Sequence, residues 1–298
     1  MTMQTQESRT PKYLYKYRSF NANTLRILSR DEAYYADPTA FNDPLDCRPV
    51  LNVDTDLRTL EKLCYRMLTL TYGKDKAVAT MNNHRYMSTE YGDFRTDEKA
   101  AYCYTEDLKQ EVKALLYREL GKHGVLSLAA RWDCPLMWSH YADEHRGLCV
   151  EYDTTDHRCS NLARVNYRTP GDIKISELYD WKIGKREKAE RRVRNAFFYA
   201  KANEWRYERE WRDVASTIGA DDAPLKMRAV YFGMRCDYAV VTSVVKLFIN
   251  GASTIKFFDM YRRDNSFKLR RHPSNVEEIE IHGVQASRKW DFDGFNTE

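Results

Sequence analysis

The stretch from Gly124 to Asp153 reads GVLSLAARWDCPLMWSHYADEHRGLCVEYD. Its two ends, Gly124 to Ala130 (GVLSLAA) and Gly147 to Asp153 (GLCVEYD), are apolar runs of strand length, each opened by glycine. Between them, Leu136 to Glu144 (LMWSHYADE) has no clean period of either strand or helix. The pattern predicts core strands flanking a functional loop. Ser127 in mid-strand, and Trp138, His140 and Tyr141 in the loop, are the polar and aromatic residues that stand out.

Upstream, Tyr13 to Ser19 (YLYKYRS) reads as an aromatic strand and Asn21 to Ser29 as a short helix with Asn or Thr at its start. Ala33 to Pro44 (AYYADPTAFNDP) carries two prolines and an Asn-Asp-Pro step, which forbid continuous regular structure and specify a shaped loop. Asp56 to Tyr72 and Thr105 to Leu120 have the spacing of amphipathic helices, and the polar stretch Lys74 to Tyr104 between them has no assignable period. Downstream come a helix over Lys185 to Asn203 and a strand over Trp205 to Ser216 (WRYEREWRDVAS). Met227 to Gly233, Val244 to Asn250, Ile255 to Tyr261, Ser266 to Arg271 and Val276 to His282 read as strands, with a helical turn near Tyr238 to Val245. Helices early and strands late predict the α+β class, with mixed or antiparallel central sheets. The expected organisation is one domain over 1–298: a flexible tail at 1–12, a helical insertion at 55–122 and a strand-rich core at 123–283.

Composition narrows the function classes. The balance of 48 Lys plus Arg against 44 Asp plus Glu gives a net charge of +4, which excludes a histone-like polycation. Seven cysteines, odd in number and without CxxC or Cys/His ligand spacing, predict a reducing cytoplasm and no metal site. No leader-like apolar core and no run of about 18 apolar residues is present, so no membrane partner is expected. P-loop, GxGxxG, GxSxG and HExxH signatures are missing. The 21 tyrosines point instead to a polar site lined by aromatic rings.

Four clusters have that character. In Tyr15-Lys16-Tyr17-Arg18, strand alternation puts the tyrosines on one face and the cations on the other, so the segment is either an edge strand with solvated charges or a ring-stacking face backed by phosphate contacts. Phe41-Asn42-Asp43-Pro44 is either a simple Asx turn or a site loop. In Trp138-Ser139-His140-Tyr141, Trp138 reads as core, and His140 as a structural residue or an acid, base or donor. In Tyr207-Glu208-Arg209-Glu210-Trp211-Arg212, two glutamates on one strand face raise the affinity of one of them for a proton, unless the pair is a salt-bridge ladder with the neighbouring arginines.

Taken together, YKYRS, FNDPLDC, LMWSHYADEHRGLCVEYD and WRYEREWR resemble the bacterial family catalogued as domain of unknown function 2971, from Tyr13 to about Gly233. That resemblance implies bacterial or mobile-element proteins, some near antiphage systems, and no stated activity. The order of a basic aromatic strand, a central strand with serine and a late Glu-x-Glu is also similar to ADP-ribosyltransferases and their split sandwich. On that resemblance NAD is the substrate, Glu210 is catalytic, and Glu208 is the preceding carboxylate. Arg18 or Tyr17 and Ser127 or the Trp138-His140-Tyr141 segment would contact the dinucleotide. Arg18 or Lys16 would hold its pyrophosphate, and Tyr15 or Trp138 would stack on nicotinamide. The acceptor would be a protein or nucleic acid. Independently of the resemblance, the four clusters are expected to converge on one cleft, which brings in Asn42 and Asp43, and Arg212 beside aromatic residues there is expected to clamp phosphate. The competing expectations are a nucleotide- or protein-sensing module of a defence system, and a metal nuclease using Glu151, Asp153, Glu208 and Glu210.

Overall fold

The computed structural model describes residues 10–168, 171–249 and 254–282. In chain order the elements are β1 (Tyr13–Arg18), α1 (Ala22–Arg30), β2 (Glu32–Tyr35), β3 (Val50–Asn52), α2 (Leu57–Tyr72), α3 (Lys74–Ser88), α4 (Glu98–Leu120), β4 (Gly124–Ala129), α5 (Pro135–Tyr141) and β5 (Leu148–Asp153). They continue through β6 (Ala163–Arg164), β7 (Asp172–Lys174), α6 (Ile175–Lys182), α7 (Glu187–Phe198), β8 (Glu210–Ala215), β9 (Gly219–Asp222), β10 (Lys226–Phe232), α8 (Tyr238–Ile249), β11 (Lys256–Arg262), β12 (Leu269–Pro273) and α9 (Val276–His282). The class is α+β. An eight-stranded sheet runs β12-β11-β10-β5-β1-β4-β8-β6, antiparallel except for the parallel pair β10-β11. Two small ribbons, β2-β9 and β3-β7, stand beside it.

The seam between β1 and β4 departs from regular pairing. β1 pairs along its whole length with β5, yet shares with β4 the single register Tyr15↔Ala129. Farther along β4, Val125 exchanges both backbone hydrogen bonds with Ala36, at 2.9 Å each, rather than with β1. Between these two points the sheet parts into a five-stranded and a three-stranded section.

Side-chain alternation builds the layers. Tyr15 and Tyr17 of β1 bury with Ala129, Trp138, Cys149 and Tyr231 on one face. Leu14, Leu126, Leu128, Leu148 and Val150 bury on the other, against Val241, Val244 and Val245 of α8. Helices α2 and α4 pack their leucine stripes together, and α6, α7, Val125 and Val214 complete that third cluster. Capping follows the sequence: Asn21 accepts from the Thr24 amide at 3.0 Å, and Asp56 from Thr59 at 2.7 Å.

Several expectations are corrected. Val244 to Ile249, within a segment expected as a strand to Asn250, belongs to α8; a short apolar run fits a buried helix as well as a strand. Val276–His282 is α9, started by Asn275, whose side chain accepts from the Glu278 amide, with Glu277 and Glu278 in the favourable first turn. The expected loop at Leu136–Glu144 is largely α5, with Pro135 at its first position. The unassigned Lys74–Tyr104 holds α3 and the start of α4. Strands also precede the helical segment, so helices and strands are not divided by position. Of the expected tail, residues 1–9 lie outside the described residues, as do Asn250 and residue 283; the carbonyls of Pro11 and Lys12 accept hydrogen bonds from Thr154.

Gly147 leads into β5 beside the end of β1, and a β-carbon there would run into the carbonyl oxygen of Arg18. The Gly147→Ala variant is expected to lose about 1–3 kcal/mol by overpacking, measured as a lowered urea midpoint at unchanged slope. An unchanged midpoint would show that β1 and β5 have slack at this contact.

Candidate functional site

A cavity of about 240 Å³ opens at the seam. Its walls come from β1 (Tyr15, Lys16, Tyr17), from the loop after β2 (Phe41, Asn42, Asp46), from β4 (Ser127), from α5 (Met137, Tyr141), and from Lys201, Glu208, Glu210 and Arg212 around β8. Register explains the last group. Ser127 pairs with Arg212 and Ala129 with Glu210, so these side chains share the face that Tyr15 and Tyr17 also use.

Arg212 lies at the centre of the polar wall and is 0% exposed. Its Nε donates to Glu210 Oε1 at 2.7 Å and one terminal nitrogen to Glu210 Oε2 at 3.0 Å. Asp46 accepts from both terminal nitrogens, at 2.9 and 2.6 Å, and the Phe198 carbonyl accepts from one of them at 2.7 Å, with the Cys47 sulfur 3.4 Å from the same nitrogen. A guanidinium has five N–H donors, and every one is spent on the protein. The expected phosphate-clamp role of Arg212 is therefore corrected to a structural one.

Lys201 is engaged in the same way. Its ammonium lies 2.7 Å from Glu208 Oε2, 3.2 Å from Glu210 Oε2 and 3.3 Å from Asp46 Oδ2. Burial alone would push the Glu210 carboxyl up, but Arg212 and then Lys201 outweigh it and hold Glu210 at about 2. Glu210 is thus ionised. Burial prevails at Glu208, whose carboxyl is raised even though Lys201 opposes the shift. Tyr141 donates to Glu208 Oε1 at 2.7 Å, and Asn42 donates to the Tyr141 hydroxyl at 3.4 Å.

Lys16 differs from Lys201. Its amine donates to the Ser127 carbonyl at 2.6 Å, across the gap where β1 and β4 no longer pair. Among the described residues it has no carboxylate within ion-pair distance. Burial, reinforced by Arg18, pushes its amine down to about 7.

Nine of the thirteen residues singled out in the sequence meet at this cavity: Tyr15, Lys16, Tyr17, Asn42, Ser127, Tyr141, Glu208, Glu210 and Arg212. Four do not. Arg18 points away from it, near Tyr152, with its Nε buried and unbonded. Asp43 accepts from the Leu45 amide at 2.9 Å and is the Asx turn. Trp138 is fully buried, its indole nitrogen donating to the Trp132 carbonyl. His140 is exposed beside the Tyr141 and Tyr207 rings.

The glutamate pair needs a further correction. Glu208 ends a 3-10 turn (Asn203–Glu208), Arg209 turns left-handed at φ 48°, and only Glu210 is on the strand. The two carboxylates meet because Lys201 lies between them. The four acids of the nuclease expectation do not converge, since Glu151 accepts from Tyr231 at 2.5 Å on another part of the sheet and Asp153 caps the Thr155 amide. Sequence reading missed Asp46 and Lys201. The available signal for Lys201 was a lone cation ending the aromatic run Phe197-Phe198-Tyr199-Ala200; Asp46 had none beyond its nearness to Asn42.

A split mixed sheet with a buried, ion-paired pocket at its seam is the class that fold and site define. Residues 137–212 match the family described as protein of unknown function (DUF2971), a span that contains Tyr141, Lys201, Glu208, Glu210 and Arg212. No curated protein and no solved structure matches the chain.

Two outcomes test the ion cluster. Arg212→Met leaves Asp46 and Glu210 buried with Lys201 alone, and a loss of about 3–5 kcal/mol is expected in urea unfolding. Glu210 binds a proton more weakly when folded than its ordinary 4.5, so its contribution is present above about pH 4.5 and is lost as pH falls toward 2. Glu208, shifted upward, contributes with the opposite sign. A Glu210→Gln variant should flatten the acid side of the melting-temperature profile; an unaltered profile would show that Glu210 carries no folded-state shift.

Proposed function

We propose that the cavity is the substrate site of an NAD-cleaving enzyme of the ADP-ribosyltransferase kind, which releases nicotinamide and transfers the ADP-ribosyl group to a protein or nucleic acid in bacterial conflict with phage. The observation that carries this reading is the charge and lining of the pocket. Three acids, Asp46, Glu208 and Glu210, face two ion-paired cations, Lys201 and Arg212, while the third basic residue of the lining, Lys16, is pushed by burial toward its free amine, and the rings of Tyr15, Tyr17, Phe41 and Tyr141 line the same space. Such a wall favours a cationic aromatic ring, which is what the nicotinamide of NAD is.

The chemistry follows from the same wall. Breaking the bond between nicotinamide and ribose develops positive charge on the sugar, and a carboxylate already fixed in place stabilises that charge without reorganising. Glu210, ionised and held by Arg212, has that character. Glu208, raised and hydrogen-bonded by Tyr141, is the group suited to take the acceptor's proton. The cavity is smaller than the roughly 300–1,000 Å³ usual for a ligand site. It suits the nicotinamide riboside end, with the remainder of the dinucleotide outside.

Incubation with NAD and chromatographic detection of nicotinamide tests the reading. Glu210→Gln is expected to lower release by about 10²-fold or more while NAD affinity persists. Glu208→Gln should impair transfer to the acceptor more than release. Wild-type turnover in Glu210→Gln would remove the mechanism. NAD binding without release, with every protein and nucleic-acid acceptor tried, would mark a nucleotide sensor instead.

A further inference from the structure

Among the described residues three lysines lie enclosed, Lys16, Lys182 and Lys201, and two of them are neutralised at close range. Lys182 lies 2.6 Å from Glu119, and Lys201 meets three carboxylates. Lys16 is the exception. It lines the cavity, and its single hydrogen bond goes to a main-chain carbonyl. The three acids of the same cavity are held by Arg212 and Lys201.

We propose that Lys16 is a bond-forming amine, which condenses with an aldehyde-bearing ligand in the cavity to give an imine. The geometry suits the step. An uncharged amine that donates one hydrogen to the Ser127 carbonyl leaves its lone pair free for a carbonyl carbon. Tyr15, Tyr17 and Tyr141 line the same cavity, an aromatic wall suited to an aromatic or sugar-like ligand body. In the reaction the amine nitrogen adds to the carbonyl carbon and one of its protons passes to the oxygen. The C–O bond then breaks as the remaining N–H proton leaves with the hydroxyl as water, giving C=N, so no oxidant or reductant is consumed.

Surrounding charges act in the same sense. Arg18 on the same strand and Arg212 on β8 disfavour the ammonium, while Glu210 and Glu208 favour it, and burial decides the balance toward the free amine near neutral pH. A desolvated lysine beside cationic groups is a recognised way to activate this nucleophile. The inference rests on the cavity and not on NAD cleavage, so either can fail without the other.

The test uses the full chain with a sub-equivalent amount of pyridoxal as the aldehyde, trapped by sodium cyanoborohydride and located by peptide mass spectrometry. Lys16 is expected to carry most of the label at pH 7, with labelling that rises through a midpoint near 7. Surface lysines should label appreciably only at higher pH. Lys16→Arg keeps a cation but cannot form the adduct, so it should lose the cavity label while its melting curve reports whether the fold is intact. Label confined to surface lysines of the wild type, or Lys16 labelled only above about pH 9, near the ordinary lysine range, would overturn the proposal.

Discussion

The guanidinium of Arg212 ties together three parts of the chain that share no strand pairing. Through Asp46 it holds the loop after β2, through Phe198 it holds the end of α7, and through Glu210 it fixes the start of its own strand. A charge this deeply buried is costly unless every donor is met, and here every donor is met by the protein. The shape of the cavity follows from that requirement. Asp46 and Lys201 are drawn inward to complete the network, and the rings around them line the remaining space.

This arrangement divides the ionisable wall into two kinds of group. Glu210, Lys201 and Arg212 have fixed charges and fixed directions, with Asp46 hydrogen-bonded to the guanidinium, so they act as a permanent field. Glu208 and Lys16 are displaced from their ordinary ranges toward their neutral forms, the first by burial against Lys201 and the second by burial with Arg18 nearby. They are the members able to exchange a proton when a ligand enters. A rigid field beside exchangeable groups is the division of labour that acid–base and electrostatic catalysis both require.

Local pattern carried part of the architecture. The alternation in YLYKYR, the Asn21 cap and the leucine spacing of α2 and α4 are visible in sequence because each depends on neighbours within a few residues. VVKLFI was misread because a short apolar run buries equally well as strand or helix, and only tertiary packing selects between them. The glutamate pair was recognised for a reason that does not hold: the two residues do not share a strand, and their meeting depends on Lys201. A turn motif marks the residue that forms the turn, Asp43, and leaves Asp46 without a local signature. The neighbour that the turn then aims inward is visible only in three dimensions.

At the seam, a lysine side chain replaces a missing partner strand by holding the Ser127 carbonyl. The integrity of the sheet at that point is therefore coupled to where one side chain directs its N–H. A ligand that engages the Lys16 amine competes with a backbone carbonyl for it, and the β1 and β4 edges are then joined mainly at Tyr15 and Ala129. The pocket wall and the join between the two sections of the sheet therefore share one hydrogen bond, and a change at either is felt at the other.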